Sequence, residues 1–540
     1  MSDSSEVLIV GAGPTGLTLA AQLLRRGVSC RVIDDRAQRA NPSRAIGLSS
    51  RSLEIVGEVG AAEELTEKGC RIGETAFFAG GERLGSVAMS SPTGTRYPFM
   101  LAIPQPDVED VLEAHVAQLG VTVERGVRLA GLTQTDECVR AALGPTGEPD
   151  RTERFDWLVG CDGAHSVVRQ SLDIPFTGEQ SEVHFVIVDV VLREEQPQDE
   201  GQYHFSPEGL LVVIPLPGGR YRIGLTGERS ALDERELDIP RLQELVSERC
   251  NTSNINISEL MDAGYGAAKV RVTTRVADRY RDGRVLIAGD AAHVFSPVGG
   301  QGMNTGIQDA HNLAWKLAHV VQRGDDESGL LDTYESERQP VGVDVMKMTA
   351  AQTKIATVRI SAGQFLRNQV FSALTGRGGF RERVGPRLAQ LTTQYPPSAI
   401  VAEKGGVKKL GVRLPNVQVH RPETGENPTW LHDLIQSVTG FSVVALPGDG
   451  EAPEVPVALR EALPVLELGD GRGGGVLGSA DADALSNELG IKHPTLCLIR
   501  PDGHVAAATT ADATDALKRL STYVPGGLVV SRLDTSQTFD

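Results

Sequence analysis

Hydrophobic and polar positions near the N-terminus alternate between two periods. The run "EVLIV" is continuously apolar and predicts a buried strand, and "CRVID" predicts a second strand. Between them, residues 15–26 place Leu17, Ala20 and Leu24 on one helical face. A strand, a helix and a strand at this spacing predict a parallel βαβ unit.

The middle of the chain has a different pattern. The runs "HFVIVDVVL", "GLLVVIPLP" and "RYRIGL" are strand-like and are separated by turns rich in proline and glycine. Residues 176–272 are therefore predicted to form a mostly antiparallel sheet inserted between residues 1–175 and 273–402 of the first domain. Helical patterns return over residues 306–321 and 331–353.

The pattern changes again after residue 402. There, "FSVVALPG" and "HPTLCLIRPDGHVAAA" predict strands, and "ADALSNELG" predicts a helix. We expect a separate small α/β domain over residues 403–525 and a flexible polar tail over residues 526–540. The fold class predicted for the whole chain is α/β.

Composition narrows the range of partners. A chain of 540 residues exceeds what one core usually serves, and its net charge of −18 opposes binding to nucleic acid or to anionic membranes. No apolar stretch is long enough to cross a bilayer, and the N-terminus has no signal-peptide pattern, so a cytoplasmic location is expected. The six cysteines lack metal-type spacing, so neither a metal site nor disulfides are expected.

A glycine-rich turn follows the first predicted strand. In "VLIVGAGPTGLTLAAQL", Gly11, Gly13 and Gly16 form a GxGxxG pattern between a strand and a helix. Such glycines permit a tight turn, close approach of a pyrophosphate and close helix packing. Asp34 ends the second strand, at the distance expected for a carboxylate that accepts hydrogen bonds from a ribose. This combination predicts a dinucleotide site.

Two further predicted strands end in acids. Asp162 lies in "DWLVGCDGAHSVVR" and Asp290 in "RVLIAGDAAH", and acids at the carboxyl ends of parallel strands point into the ligand crevice. The structural alternative for Asp162 is capping of the next helix. The segment "SPVGGQGMN" then places glycines before a helix, where free backbone N–H groups suit a negatively charged group.

These motifs resemble a known family. "GAGPTG", "GCDGAHSVVR" and "GDAAHVFSPVGGQGMN" resemble the FAD-dependent aromatic monooxygenases typified by para-hydroxybenzoate hydroxylase. With "IPQPDVEDVL" and "LLDTYESERQPV", the pattern is closer to phenol and pentachlorophenol hydroxylases and to aromatic polyketide hydroxylases. The resemblance spans most of the chain. It implies a Rossmann-like FAD domain, an inserted substrate-binding sheet and a C-terminal thioredoxin-like domain.

The resemblance also assigns roles to residues around FAD. It implies that Asp34 binds the adenosine ribose, that Asp162 serves both FAD and a passing nicotinamide cofactor, and that Pro297 lies against the isoalloxazine. Arg44, Gln105 and Asp290 would bind the phosphate and ribityl parts. The predicted cofactor-binding residues are Gly11, Gly13, Pro14, Thr15, Gly16, Asp34, Arg44, Gln105, Asp162, Asp290, Pro297, Gly299, Gly300, Gly302, Met303 and Asn304.

Several of these residues have structural alternatives. Arg44 could be a solvated surface charge, and Gln105 could cap a helix. His293, beside Asp290, is expected to hold the turn rather than to catalyse. The only cysteine of the C-terminal domain is Cys497, so that domain is expected to serve packing or dimerisation rather than thiol chemistry.

The implied activity is a monooxygenation. FAD would be reduced by NADPH or NADH, O₂ would add at flavin C4a, and the distal oxygen would pass to a phenolic or polycyclic, polyketide-like aromatic substrate. A second dinucleotide fingerprint is missing, so the nicotinamide cofactor would bind transiently. The alternatives are Baeyer-Villiger oxygen insertion and a flavin-fold protein that binds ligands without oxygenation. A homodimer stays open.

The substrate-facing residues stay undecided at the level of sequence. Tyr203, His204 and Phe205 are candidates in the middle sheet, but a shift of one residue in strand register exchanges the two faces.

Overall fold

The computed structural model describes residues 6–510 apart from short gaps, together with Leu520 and Val524. The gaps are residues 39–44, 46, 90–93, 146–147, 149, 228–237, 252–253, 262–267, 325, 327–328, 359–360, 376–377, 406, 421–426, 437–439, 449–452, 470–475 and 479–481. Arg44 and the predicted tail 526–540 therefore lie outside the described residues.

The chain divides into two compact units. The first comprises Met1–Pro92, Tyr97–Ala314 and Gln339–Leu391, and the second comprises Thr93–Arg96, Trp315–Arg338 and Thr392–Asp540. The domain boundaries predicted from the sequence, at residues 175, 272 and 402, stay predictions.

A mostly parallel sheet in the first unit contains the predicted βαβ unit. Its strands, in spatial order, are Arg281–Asp282, Val285–Ile287, Trp157–Gly160, Val7–Val10, Cys30–Asp34 and Glu124–Arg125. Only the first pair is antiparallel. Helix Pro14–Arg25 connects the two predicted strands. Because parallel strands end at one edge, the segments that follow them meet at that edge.

A larger sheet in the first unit is mostly antiparallel, as predicted. Its strands, in spatial order, are His293–Val294, Ala268–Ala277, Phe176–Leu192, Arg220–Gly227, Gly209–Leu216, Glu200–Ser206, Glu74–Ala79 and Glu82–Ala88, with Ile257–Leu260 beside Phe176–Leu192. Glu200–Ser206 and Glu74–Ala79 form a parallel pair. The sheet therefore takes strands from outside residues 176–272.

Helices and smaller sheets complete the first unit. The other helices with residues in it are Ser50–Gly57, Ala62–Lys68, Gln105–Gln118, Val167–Ser171, Ile239–Cys250, Gly302–Arg323, Asp332–Ala356, Ser361–Thr375 and Gly378–Leu388. The small sheets are Gly47–Leu48, Met100–Ala102 and Cys70–Ile72, and Arg151–Phe155, Val139–Pro145 and Val127–Gln134. No helix in the described part of the chain is long and apolar enough to span a membrane.

The second unit contains a mixed five-stranded sheet. Its strands, in spatial order, are Val476–Gly478, Val465–Gly469, Ser442–Leu446, Thr495–Ile499 and Val505–Thr509. The first three strands are parallel to one another, and Thr495–Ile499 is antiparallel to both of its neighbours, Ser442–Leu446 and Val505–Thr509. Helices Leu431–Gln436, Val457–Ala462 and Ala482–Leu489 and the strand pair Gln418–Val419 and Thr429–Trp430 accompany it. The predicted α/β fold class is confirmed.

The second unit contains a buried cluster of charges. Glu337 accepts hydrogen bonds from Lys316 Nζ at 2.8 Å and from Arg500 Nη1 at 2.6 Å, and all three side chains are fully buried. Arg500 Nη2 also pairs with Asp502 at 2.5 Å, and Trp315 Nε1 donates to Asp502 at 3.2 Å. Burial opposes ionisation of Glu337, but Arg500 and Lys316 lower its pKa to about 2. Each buried charge therefore depends on its partners.

Replacing Glu337 by glutamine should strongly destabilise the second unit. The change leaves Lys316 and Arg500 buried with an incomplete set of negative partners, which costs about 3–5 kcal/mol of unfolding free energy. Urea unfolding followed by tryptophan fluorescence, to which Trp315 and Trp430 of the second unit contribute, measures the loss. The exposed Glu461 offers a matched control, and its change to glutamine should alter stability by less than about 0.5 kcal/mol. Equal effects of the two substitutions would contradict the assignment.

Candidate cofactor site

The three fingerprint glycines have distinct surroundings. Gly11 has φ +106°, and a Cβ on it would lie 2.3 Å from the carbonyl oxygen of Cys161. A Cβ on Gly16 would lie 2.0 Å from the carbonyl oxygen of Gly11. Around Gly13, by contrast, no described atom outside Gly13 and its two chain neighbours lies within 4 Å of the position that a Cβ would occupy. Two glycines therefore permit close backbone packing, whereas Gly13 keeps space free where helix Pro14–Arg25 begins.

Asp34 lies at the predicted strand end and is held by its own chain. Its Oδ2 accepts a hydrogen bond from Ala12 N at 2.9 Å, and its Oδ1 accepts from Arg36 N at 3.0 Å. The Arg36 guanidinium also donates to it, through Nε at 3.0 Å. Although burial alone would raise it, hydrogen bonds from Arg36 and Ala12 lower the pKa of Asp34. The carboxylate is therefore ionised and rigidly oriented beside the glycine turn.

Gln105 is the first residue of helix Gln105–Gln118, but it does not cap that helix. The N-cap is Pro104, and the Gln105 side chain instead donates to Glu109 Oε1 at 2.8 Å. Glu109 is buried and contributes to raising the pKa of Arg36. Gln105 thus belongs to a polar group that extends to Asp34. Glu109 is not among the residues predicted from the sequence, because one acid in a polar helix carries no distinguishing signal.

Asp162 has one carboxylate oxygen engaged and one without a partner. Oδ2 accepts a hydrogen bond from Val168 N at 3.1 Å, while Ser166 is the N-cap of helix Val167–Ser171. Oδ1 is buried and has no hydrogen-bond partner among the described residues. Burial raises the pKa of Asp162. A buried oxygen of this kind fits a ligand that supplies a hydrogen-bond donor.

Contacts of Gly289 and His293 with Thr15 and Asp309 fix the turn that follows strand Val285–Ile287. Gly289 has φ +63°, and a Cβ on it would lie 2.5 Å from Thr15 Oγ1. Gly289 N donates to Asp309 Oδ2 at 3.1 Å, and His293 Nε2 lies 2.5 Å from the same oxygen. Thr15 therefore contributes packing here, and His293 holds the turn as expected, since both it and Asp309 are fully buried.

Arg169 joins the two loops that carry the strand-end acids. Its Nη1 donates to Ala291 O at 2.8 Å and its Nη2 to Ala164 O at 3.0 Å. Its guanidinium also lies 3.9 Å from the ring centroid of Phe176. The sequence motif "GCDGAHSVVR" contains this arginine, but only the fold reveals what it contacts.

Asp290 lies at the exposed edge of the same turn. It is exposed, and its Oδ1 lies 4.0 Å from the position that a Cβ on Gly302 would occupy. Helix Gly302–Arg323 begins at that glycine, four residues earlier than its apolar pattern predicts. The structure therefore brings Asp290 next to the glycine loop.

The glycine loop has a defined backbone. Gly299 and Gly300 have φ +100° and +63°, and Gly300 N donates to Pro297 O at 3.1 Å. A Cβ on Gly299 would lie 2.7 Å from Gln352 Oε1, a buried oxygen without a hydrogen-bond partner among the described residues. Gly302 and Met303 form the half-buried first turn of the helix. The loop thus presents backbone rather than side chains.

Asn304 fastens this loop to a second segment. Its Nδ2 donates to Gly300 O and to Gly47 O, both at 2.9 Å, and its Oδ1 accepts from Ser49 N at 2.7 Å. All polar atoms of its side chain are therefore engaged within the protein. Asn304 therefore positions the backbone of both segments, and its predicted contact with FAD stays a prediction.

A chain of buried glutamines supports the loop from behind. Gln301 Nε2 donates to Gly299 O at 2.8 Å, and Gln390 Nε2 donates to Gln301 Oε1 at 2.7 Å. Gln308 Nε2 then donates to Gln390 Oε1 at 2.6 Å. No sequence signal connects Gln390 with this loop, because 89 positions separate it from Gln301.

The larger sheet presents an aromatic face towards the same loop. Phe77 stacks on Phe205 with ring centroids 6.1 Å apart and lies 5.8 Å from Tyr203. His204 is on the opposite face, where it stacks on Phe78 at 4.7 Å. Phe205 and Tyr203 belong to a buried cluster that also contains Val298 of the glycine loop. The structure thus decides the register that the sequence left open.

The fold and the site together define a flavoprotein of the dinucleotide-binding class. The family described as "FAD binding domain" matches residues 4–349, and the chain belongs to this family. The free space at Gly13 and the unpartnered Asp162 oxygen fit its cofactor. The predicted family, enzyme class and FAD cofactor are confirmed, and NAD(P)H is the usual electron donor for this family.

Characterised relatives extend over nearly the whole chain. The 6-methylpretetramide 4-monooxygenase of Streptomyces rimosus is 32% identical over 528 residues, covering 96% of this chain and 93% of the relative. The pentachlorophenol 4-monooxygenase of Sphingobium chlorophenolicum is 31% identical over 533 residues, covering 96% of each. A structure of aklavinone-11 hydroxylase with FAD and aklavinone matches with TM-score 0.75, 27% identity and coverage of 96% and 99%. The protein is a flavin-dependent monooxygenase.

Replacing Gly13 or Gly16 by alanine should distinguish a glycine needed for FAD binding from one needed for backbone packing. Gly13→Ala should fold normally, since its backbone is extended and its surroundings are open, yet it should purify with depleted FAD. Gly16→Ala should lose about 3 kcal/mol of stability, because its Cβ would overlap the Gly11 carbonyl. FAD absorbance per protein and thermal unfolding of the FAD-free forms measure the two effects. Full FAD content in Gly13→Ala would count against the assignment.

Asp162→Asn should weaken FAD binding about tenfold or more without destabilising the FAD-free protein. Because burial raises the folded-state pKa of Asp162, the folded protein loses stability as the pH rises through that pKa, and asparagine removes this loss. The FAD-free variant should therefore match or exceed the parent in thermal stability at neutral pH, with the difference shrinking in acid. A variant that is less stable at neutral pH and binds FAD normally would show that Asp162 only caps the helix.

Proposed function

We propose that this enzyme inserts one oxygen atom into a phenolic or polycyclic, polyketide-like aromatic substrate. The observation that carries the substrate class is the aromatic face of Phe77, Tyr203 and Phe205, which shares one buried cluster with Val298 of the glycine loop. A flat aromatic ring can stack on such a face beside the cofactor. The relatives named for 6-methylpretetramide and pentachlorophenol act on molecules of this kind.

We further propose that the residues predicted from the sequence bind FAD. Gly13 and the start of helix Pro14–Arg25 would receive the pyrophosphate, and Asp34 would receive the adenosine ribose. Asp162 would accept a hydrogen bond from the cofactor through its unpartnered oxygen. Asp290 and Gln105 would contact the ribityl part, and Arg44 is retained in this proposal on the sequence pattern alone.

The glycine loop would serve the ring system of FAD. Its backbone N–H groups lie at the beginning of helix Gly302–Arg323, whose dipole favours negative charge. Reduced flavin carries such a charge on its pyrimidine edge, and the loop would stabilise it there without reorganisation. The hydrogen bonds of Asn304 and Gln301 hold the loop in this shape. When bound, FAD supplies the redox chemistry with O₂, and the chain orients it and excludes water.

Other parts of the sequence-based prediction stay proposals. They include O₂ as the second substrate, transient binding of NADPH or NADH, a homodimer and a cytoplasmic location. Baeyer-Villiger insertion remains the alternative outcome on the same scaffold, since the surroundings of FAD are common to both reactions.

Anaerobic reduction of the purified enzyme tests the proposal. NADPH and NADH are compared with and without a panel of phenols and polycyclic quinones. We expect at least one polycyclic phenol to accelerate reduction about tenfold or more, because bound substrate positions the flavin for hydride transfer. Mass spectrometry after admission of O₂ then shows a gain of one oxygen atom. A new hydroxyl group supports hydroxylation, and a ring-expanded ester supports Baeyer-Villiger insertion. Flavin reduction with unchanged aromatic compounds throughout the panel would overturn the proposal.

A further inference from the structure

A buried arginine lies over the aromatic face of the larger sheet. Arg367 belongs to helix Ser361–Thr375, and its guanidinium carbon lies 4.6 Å from the ring centroid of Phe205. Phe371, one turn later, contacts the rings of Phe77 at 5.2 Å and Phe205 at 5.4 Å. The helix therefore adds a cation to a wall that is otherwise aromatic.

The helix buries its charge and exposes apolar groups, the reverse of the usual order. Phe365 and Leu366 are 68% and 63% exposed, whereas Arg367 is only 8% exposed. Local rules of patterning are broken in this way chiefly where a site requires it. The position of Arg367 therefore calls for a functional reason.

Among the described residues, the hydrogen-bond partners of this guanidinium are neutral. Nε donates to Asn368 Oδ1 at 3.1 Å, and Nη1 lies 3.5 Å from Ile355 O. In the part of the chain that the structure describes, Arg367 forms no ion pair, and burial lowers its pKa. A buried cation without an anion is costly, so an external anionic group would relieve this cost.

Arg367 is also connected to the glycine loop. Ile355 and Ala356 end helix Asp332–Ala356, and Ala356 shares the buried cluster of Phe205 and Val298. One turn earlier, Thr353 Oγ1 donates to Ser296 Oγ at 2.7 Å, at the start of the loop. The arginine, the aromatic face and the loop are thus linked through one buried cluster of the first unit.

We propose that Arg367 is the substrate-recognition residue of this enzyme, pairing with the ionised oxygen of a phenolic or enolised polycyclic substrate stacked along Phe205 and Phe77. The inference rests on the proposed function and deepens it. A guanidinium donates two parallel hydrogen bonds to an oxyanion and a neighbouring carbonyl oxygen, so a hydroxyl group beside a ring ketone fits it well. The hydroxyl proton is released to solvent.

Ionisation of the substrate also bears on reactivity. An ionised oxygen raises the electron density of the ring, which favours attack on an electrophilic oxygen atom. Tyr203 lies on the same face, but burial raises its pKa to about 12, so its phenol stays neutral. Arg367 is therefore the charged group of the described residues on this face that can stabilise the substrate anion.

Alizarin is a suitable probe, since it is a polycyclic phenol with a hydroxyl group beside a ring ketone. Its ionisation moves its absorption to wavelengths longer than those at which flavin absorbs. We expect the FAD-loaded enzyme to bind alizarin as the anion at a pH at which free alizarin is neutral. Arg367→Met should bind the anion at least about tenfold more weakly, because a charge-assisted hydrogen bond is lost. Arg367→Lys should keep most of the anion band.

Arg71→Met is a matched control, since Arg71 also lies over a ring, 5.0 Å from the centroid of Phe99, but is exposed. It should bind alizarin like the parent. Equal losses of anion binding in Arg367→Lys and Arg367→Met would overturn the proposal and show that Arg367 serves packing. An unchanged anion band in Arg367→Met would also overturn it, and so would a parent enzyme that does not bind alizarin. FAD content and reduction by NADPH are measured in every variant. If the parent enzyme lacked FAD or were not reduced by NADPH, the proposed function would be contradicted. If both are normal, a negative result for alizarin concerns only the proposed role of Arg367.

Discussion

The whole site depends on backbone contacts at the carboxyl edge of the parallel sheet. Gly11 lies against the Cys161 carbonyl, Gly16 against the Gly11 carbonyl and Gly289 against Thr15, at distances that a side chain on any of these glycines would block. Because these strands are parallel neighbours, Asp34, Asp162 and Asp290 all follow strand ends at the same edge of the sheet. A side chain at any of these positions would force the turns that carry the acids to shift.

Polar side chains then hold the irregular segments around this edge. Arg169 ties two strand-end loops through their carbonyl groups, and Asn304 ties the glycine loop to the segment at Gly47. These loops have no ladder partners of their own, so side-chain amides and guanidinium groups satisfy their backbone instead. This arrangement fixes the backbone of the glycine loop at the start of helix Gly302–Arg323. Rigidity there matters, because a preorganised donor stabilises charge without the cost of reorganisation.

Buried charged side chains differ between the two units in how completely they are paired. In the second unit, Glu337, Lys316 and Arg500 are buried but fully paired, which is the arrangement expected of a structural cluster. In the first unit, Asp162 keeps a buried oxygen without a partner, and Arg367 is buried with neutral neighbours only, within the described residues. Paired buried charges need no ligand, whereas the incompletely paired ones lie at the places where we propose that a ligand supplies the missing partner.

Features formed by residues close together in sequence were the ones that the sequence predicted. The βαβ unit, the glycine fingerprint, the strand-end acids and the turn held by His293 could be predicted because each depends on local conformation and on a short period of apolar positions. The two faces of the larger sheet could not be assigned from the sequence, because Tyr203 and His204 point to opposite faces. Only pairing with the strand Glu74–Ala79 decides which of the two side chains is on the face of the loop. Gln390, just after helix Gly378–Leu388, contacts the glutamine chain behind the glycine loop, and Arg367 of helix Ser361–Thr375 contacts the aromatic face. Their contacts follow from the path of the chain in space, and tertiary packing alone determines which distant side chains meet.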